Sequence, residues 1–245
     1  PELDRAARQQ FIRRCDRILV HCEAGRRELE QTFHHLPPAT IAPHPDYRRE
    51  YPAPAGRMEA RAALRIPRDD FVFLMFGMLR PYKNFPLAIS AFRALPMSRA
   101  RLLIAGGTLG GDDAAWLKQL AAGDERIDLR VARVPDDQVP VLFGAADVAL
   151  FSYERILASG GVALAQGLGR AIVAPRIGCL PDMVPDSSGL LYEVNSVEGL
   201  AAAMRRITEL DVDEMGRQGQ LHIAKRSPEA FARTLFGVYK ALPRR

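Results

Sequence analysis

Cysteine is scarce in this sequence, with only Cys15, Cys22 and Cys179 among 245 residues. The three are odd in number and widely spaced, and no two form a CxxC pair, which argues against a disulfide framework and against a zinc site. The five histidines show no metal-ligand spacing on any predicted element, so we expect no bound metal. A reducing, cytoplasmic compartment is the expected location.

Long apolar runs are also missing. No uninterrupted stretch reaches the roughly 18 apolar residues of a membrane-spanning helix. The polar start PELDRAARQQ lacks the apolar centre of a signal peptide. The chain begins at Pro1 rather than Met, which indicates either processing or a fragment of a longer protein, and we favour the fragment.

Charge of one sign is not concentrated in any region. The 34 basic residues exceed the 29 acidic ones by a formal +5, but Lys and Arg are scattered, and no stripe of basic and aromatic residues is present. This distribution argues against a nucleic-acid partner. The mild excess is compatible with an anionic substrate, a membrane surface or a solvated exterior.

What the sequence does contain is an alternation of short apolar runs with longer amphipathic ones. Its 48% hydrophobic residues suffice for a buried core. The alternation predicts an α/β fold with a Rossmann-like, doubly wound parallel sheet. From Ser196 the strands stop, and a tail of three helices is expected, with helix starts at Ser196 and Ser227. Strands are predicted at 17–21, 40–42, 71–76, 101–105, 127–131, 148–151 and 172–174, and helices at 3–14, 23–33, 58–64, 86–95, 113–122, 138–144 and 160–167.

A proline-rich segment divides the chain. Residues 43–56 contain four prolines and no apolar periodicity, which predicts a linker. For His44 within it, a solvated position is favoured over one that faces a cleft. Residues 1–42 hold only two predicted strands and two helices. They cannot bury a core of their own, so we interpret them as the end of another domain. Residues 57–245, with about five strands, form the main domain.

The first candidate site follows the strand 71–76. Ligands of a doubly wound sheet bind beyond the carboxyl ends of its strands. Gly77, Arg80 and Lys83 come directly after this strand. Glycine permits a tight turn, and the planar fork of Arg80 with the compact charge of Lys83 suits a diphosphate. Taken alone, two cations in a loop are better explained as a solvated connection.

A second candidate follows the strand 148–151. Ser159, Gly160 and Gly161 open an apolar helix, so their backbone N–H groups lie at the positive end of the helix dipole, where anions bind. An ordinary helix start with glycines for close packing is the alternative. The glycine-rich segment 105–113 lacks both the lysine of a P-loop and the spacing of a dinucleotide fingerprint, and we expect only that it approaches a ligand.

Taken in order, these segments resemble the donor-binding half of GT-B glycosyltransferases of the family 4-like group. The resemblance implies the C-terminal half of a GT-B architecture: residues 1–42 end the acceptor domain, 57–245 bind the donor, and the last helix crosses back. It is carried by F76-G-M-L-R-P-Y-K-N84, L102-L-I-A-G106, V134-P-D-D-Q-V-P-V-L-F-G-A-A-D-V148, G167-L-G-R-A-I-V-A174, G178-C-L-P-D-M-V184, S188-G-L-L191 and the terminal segment 227–242.

The resemblance also implies a function. It is the transfer of a sugar, with retention, from a nucleotide-diphosphate sugar to an unknown acceptor, without metal or cofactor. Arg80 and Lys83 are then the catalytic cations that neutralise the leaving diphosphate. The backbone near Val134 and Pro135 holds the base. The remaining donor-site residues are Gly77, Tyr153, Ser159, Gly160, Gly161 and Leu164.

Two departures from the family pattern concern this site. The family's paired glutamates, one contacting the donor sugar and one the ribose, fall on Ile156 and Leu164. Met78 stands where many members have an arginine, and we expect Arg80 to take that role. The missing carboxylates favour an alternative, a noncatalytic module that binds a nucleotide sugar or a partner subunit. A sugar-nucleotide epimerase is a further alternative.

The terminal helix bears on assembly. Phe231, Leu235, Val238 and Leu242 recur at helical spacing, and in a fragment this stripe is expected to be partly exposed. A homodimer is therefore compatible with the sequence. A peripheral membrane contact through the other domain is also compatible with it.

Overall fold

The computed structural model describes residues 2–108 and 110–242. No helix within these residues is long and apolar enough to span a bilayer. The strands, β1 to β8, are Ile18–Val20, Ala39–Ile41, Phe71–Phe76, Ala100–Gly106, Ile127–Val131, Val148–Leu150, Ala171–Pro175 and Gly189–Tyr192. The helices, α1 to α11, are Glu2–Ile12, Glu23–Thr32, Arg57–Leu64, Phe85–Arg93, Gly111–Ala121, Val139–Ala145, Gly160–Gly167, Leu180–Met183, Val197–Ile207, Val212–Ala224 and Pro228–Lys240.

Six parallel strands form the main sheet, in the order β5-β4-β3-β6-β7-β8. β3 pairs with β4 on one side and with β6 on the other, so the strand order reverses there and opens a crevice beyond their carboxyl ends. The predicted doubly wound sheet is confirmed. The expected count of about five strands was wrong, because β8 was not predicted. This four-residue edge strand pairs only with β7 and is too short to show periodicity.

Side chains of successive strand residues enter two different cores. Leu74 of β3 packs in one core with Phe143 of α6, on the face covered by α3, α6 and α7. Its neighbour Phe73 points to the other face, where its ring lies 6.4 Å from that of Phe92 of α4. A sheet covered on both faces requires strands that are apolar throughout, as the sequence FVFLMF of β3 is.

The helical tail follows the prediction. Ser196 and Ser227 each precede a helix, and their side-chain oxygens accept hydrogen bonds from Gly199 N at 2.9 Å and Ala230 N at 3.2 Å. These contacts satisfy backbone N–H groups that a first helical turn leaves unpaired. The apolar stripe of α11 is partly exposed along its length, as predicted.

Described residues before α3 contact the region where α11 starts: His21 lies near Phe231, and Arg49 pairs with Glu229. β1 and β2 form a separate two-stranded parallel sheet. In the linker, Asp46 is buried and its N–H donates to the carbonyl of Arg226 at 2.8 Å. His44 was expected to be solvated, and this was wrong: its ring lies 5.0 Å from that of His21, and burial lowers its pKa. The domain boundaries at 42 and 56 stay predictions.

A buried ion pair ties α3 to the sheet. Nη2 of Arg61 lies 2.6 Å from Oδ2 of Asp147, and both side chains are less than a tenth exposed. The same carboxylate oxygen accepts the N–H of Val72 at 2.7 Å, while Arg61 Nε donates to the carbonyl of Ala145 at 3.1 Å. The pair therefore joins α3, the end of α6 and the start of β3.

We expect Arg61→Met to lower the free energy of unfolding by about 3 kcal/mol, because it leaves a buried carboxylate short of its main partner. The expected loss of stability lies at the low end of the range for broken buried ion pairs, because Arg57 Nε still lies 3.4 Å from the other oxygen of Asp147. Urea unfolding measures the change. The control Arg99→Met breaks only an exposed pair with Asp69 and should change stability by less than about 1 kcal/mol. Equal losses in both variants would contradict the role of Arg61.

One disulfide joins the N-terminal segment to the main domain, between Cys22 and Cys179. The expectation that no disulfide forms was therefore wrong. Spacing rules detect several cysteines close in sequence, whereas one bridge across 157 residues leaves no local pattern. Because disulfides persist mainly in oxidising compartments, the bridge also speaks against the cytoplasmic location, which stays a prediction.

Loss of this bridge should lower stability by about 2–4 kcal/mol, because the unfolded chain is no longer closed into a long loop. The change is Cys22→Ser, measured by urea unfolding with and without reductant. Cys15→Ser is the matched control, because Cys15 is a free thiol. Its unfolding midpoint should respond to the reductant as that of the wild type does. A wild-type protein whose unfolding midpoint ignores the reductant would contradict the prediction.

Candidate functional site

Two cavities adjoin at the carboxyl ends of the central strands. The first cavity, of about 520 Å³, lies between the loop after β3, the linker and the start of α7. The second cavity, of about 480 Å³, lies between the loops after β3, β4 and β5. Phe76, Gly77 and Met78 border both. The two cavities therefore form neighbouring compartments of one cleft, at the point where the strand order reverses.

The loops after β3 and β4 are in direct contact. Gly77 has a φ of +94°, and its N–H donates to the carbonyl of Ala105 at 3.0 Å. A Cβ at Gly106 would lie 2.1 Å from the carbonyl oxygen of Gly77, so no side chain fits there. Both positions require glycine, since one needs a positive φ and the other a close backbone approach.

Lys83 is the only cationic side chain among the described residues that line the first cavity. Its Nζ donates to the carbonyl of Phe76 at 2.7 Å, and Ser152 Oγ donates to the backbone carbonyl of Lys83. Burial lowers the pKa of Lys83 to about 8. The ammonium has no carboxylate partner there, because the cavity's one acidic lining residue is the exposed Glu50 of the linker.

The start of α7 forms another wall of the first cavity. Ser159 Oγ accepts the N–H of Val162 at 3.2 Å and lies 2.9 Å from the hydroxyl of Tyr153. Burial raises the pKa of Tyr153 to about 12, so its phenol stays neutral. A Cβ at Gly160 would lie 3.3 Å from the ring of Tyr47, which shows how closely the linker packs on the helix start.

The structure brings together most of the residues predicted from sequence. Val134 lines the second cavity, whereas Pro135 borders a smaller one of about 160 Å³. Arg80 is half-buried and lines neither cavity of the cleft. The predicted residues that line the first cavity are Gly77, Lys83, Tyr153, Ser159, Gly160, Gly161 and Leu164.

Residues 106–108 of the glycine-rich segment line the second cavity, while Leu109 lies outside the described residues. Ile156, like Leu164, gives the first cavity an apolar side chain. Sequence reasoning missed Tyr47, Glu50 and Tyr51, which complete the first cavity from the linker. No local signal marked them, because only the fold carries this aperiodic segment to the strand ends.

Residues 56–230 match the family model for glycosyl transferases group 1. The chain belongs to this family. The D-inositol 3-phosphate glycosyltransferase of Mycobacterium avium (strain 104) is 33% identical over 212 residues, which are 83% of this chain and 49% of that protein. This group 1 chain thus spans about half the length of the curated relatives it matches.

Solved structures share the fold of this group 1 chain. Sucrose-phosphate synthase from Thermosynechococcus elongatus aligns with a TM-score of 0.86 and 20% identity, over 98% of this chain and 61% of that one. Anabaena HepE, in complex with UDP and glucose, aligns with a TM-score of 0.85 and 18% identity, over 99% and 68%. The resemblance to GT-B glycosyltransferases is confirmed.

The lowered pKa of Lys83 is testable in this group 1 chain. With reductively ¹³C-methylated lysines, the NMR signal of Lys83 should titrate with a midpoint of about 8, and Lys83→Met, which removes that signal, supplies the assignment. The burial of an ammonium without a carboxylate partner is the physical reason. A midpoint near the ordinary lysine value of about 10.4 would contradict the buried position.

Proposed function

We propose that this chain binds the nucleotide-diphosphate sugar of a metal-independent, retaining glycosyltransferase that passes the sugar to an acceptor. The observation that carries the proposal is that Lys83 and the start of α7 line the same cavity, at the point where the strand order reverses. Membership of the glycosyl transferases group 1 supports the activity. The complex of HepE with UDP supports a nucleotide donor.

The diphosphate would lie between Lys83 and the N–H groups of Gly160 and Gly161. As the glycosidic bond breaks, negative charge grows on the leaving diphosphate. Donors that already point at that position stabilise it without reorganisation. An arriving anion also stabilises the ammonium of Lys83, which is partly deprotonated near pH 8 in the empty site. Binding should therefore weaken as the pH rises through 8 and above.

Arg80 is proposed as a second cation for the diphosphate. It precedes the turn Pro81–Lys83 on the same loop, and its side chain is half-buried outside the cavity lining. The backbone around Val134 and the glycines at 106 and 107 would hold the base, since they border the second cavity, which adjoins the first at Gly77. Pro135 follows Val134 and would shape that turn.

The sugar contacts of this site must differ from a pair of carboxylates on the α7 side. Ile156 and Leu164 line the first cavity with apolar side chains, and Glu50 is the only acidic residue among the described residues of its lining. This observation favours a second candidate function, a module that binds a nucleotide sugar without turnover. Release of UDP from UDP-glucose, measured on the whole protein that carries this chain, separates the two, because a module binds the donor and leaves it intact.

Calorimetric titration with UDP, GDP and ADP tests the binding site. Lys83→Ala should lower the affinity for the preferred nucleotide by about tenfold or more, because a charge-assisted contact to the diphosphate is lost. Arg80→Ala should weaken it as well. The corresponding nucleoside without phosphates should bind wild type and both variants alike.

Lys118→Ala is the matched control, because Lys118 is an exposed lysine of α5 away from both cavities. It should bind as wild type does. If neither Lys83→Ala nor Arg80→Ala changes nucleotide affinity, the diphosphate role is wrong.

A further inference from the structure

A third cavity, here called the basal cavity, lies at the other end of the sheet. Its volume is about 500 Å³. It is bordered by residues 168–170, which lead into the amino end of β7, by Gly144 shortly before β6, and by the starts of α3 and α10. The donor cleft lies beyond the carboxyl ends of the strands, so the two sites share no lining residue.

The lining of the basal cavity is rich in arginine. Arg57, Arg170 and Arg217 face it, against one carboxylate, that of Asp213. Two of the arginines have acidic partners: Arg57 pairs with Asp213, and Arg217 lies 2.6 Å from Glu214. Arg170 makes no such ion pair among the described residues.

Arg170 has only backbone partners within the described chain. Its Nε donates to the carbonyl of Leu168 at 3.3 Å and its Nη1 to that of Ala146 at 2.9 Å. A guanidinium has five N–H donors, so three remain without an acceptor. Burial, and then the nearby charge of Arg57, lower the pKa of Arg170; the carboxylates of Asp213 and Asp147 act in the opposite direction and offset this only in part.

Further donors without acceptors border the same space. Arg57 Nε is buried and makes no hydrogen bond among the described residues; the nearest carboxylate oxygen, Oδ1 of Asp147, is 3.4 Å away. The N-cap residue of α3 is Gly56, which offers no side chain to cap the first N–H groups of the helix. A buried donor without an acceptor is costly, so a ligand rich in acceptor oxygens would be favoured here.

The wall next to Arg170 is preformed. A Cβ at Gly216 of α10 would lie 2.0 Å from the carbonyl oxygen of Gly169, so helix and turn are in backbone contact. Gln220 Nε2 donates to the carbonyl of Gly167 at 3.2 Å across the same junction. The guanidinium of Arg170 is therefore held by its surroundings before any ligand arrives, which lowers the entropic cost of binding.

We propose that the basal cavity binds a phosphate group, with Arg170 as its principal ligand and Arg57 as the second. Planar guanidinium forks match tetrahedral oxyanions, and phosphate brings more acceptor oxygens and more charge than a carboxylate. The volume exceeds that of free phosphate. Inorganic phosphate and the phosphoryl group of a small metabolite both satisfy this chemistry.

The test is calorimetric titration of inorganic phosphate into the full chain carrying Lys83→Ala, at fixed ionic strength. Arg80→Ala is added to the same background, which removes both proposed cations of the donor site, so the outcome does not depend on the proposed function. One site is expected. Adding Arg170→Gln should lower the affinity for phosphate by about tenfold or more, because charge-assisted hydrogen-bond donors are lost. Adding Arg99→Gln, an exposed arginine far from the cavity lining, should leave the affinity unchanged.

Two further measurements keep the result interpretable. If Arg170→Gln fails to fold, Arg57→Gln replaces the second proposed ligand and should also weaken the binding of phosphate. Tighter binding of glucose 6-phosphate than of phosphate would support an organic phosphate, and equal binding would support the phosphoryl group alone. No phosphate binding, unchanged affinity in folded Arg170→Gln, or acetate binding as tight as phosphate would each overturn the proposal.

Discussion

The close approach of the loops after β3 and β4 is the constraint on which the donor cleft depends. A side chain at Gly106 would collide with the carbonyl of Gly77, at 2.1 Å from its Cβ position. Because both positions are glycine, the two strand ends can meet, and the backbone at Gly77 borders both cavities. The carbonyl of the preceding residue, Phe76, accepts a hydrogen bond from the ammonium of Lys83. One backbone contact thus sets the place of the cation.

Cations of this domain fall into two physical groups. Arg61 is neutralised by Asp147 and serves stability. Lys83 and Arg170, at opposite ends of the sheet, are instead held by backbone carbonyls and have no carboxylate partner within the described chain. A partly buried cation whose hydrogen bonds go only to backbone carbonyls is incompletely compensated, and an anionic ligand can supply the missing charge. The same property underlies both proposed sites.

The linker does more than connect two parts of the chain. Tyr47 packs on the start of α7, and with Tyr51 and Glu50 it completes the first cavity. The disulfide between Cys22 and Cys179 adds a covalent tie between the segment before the linker and the domain after it. The shape of the donor cleft therefore depends on residues on both sides of the predicted domain boundary.

Periodicity along the chain predicts the order of the elements and the bounds of the clearest ones: β3, β5 and α7 occupy the predicted residues 71–76, 127–131 and 160–167. The sequence also indicated Lys83 and the glycines at 160 and 161 as ligand-site residues. They follow predicted strands, and ligands of a parallel sheet bind beyond the carboxyl ends of its strands. Only the tertiary structure decided how the linker closes the cleft, that β8 extends the sheet and that Cys22 meets Cys179. It also decided which cations stay unpaired, because pairing depends on contacts such as Arg61 with Asp147, 86 residues apart, which no local periodicity encodes.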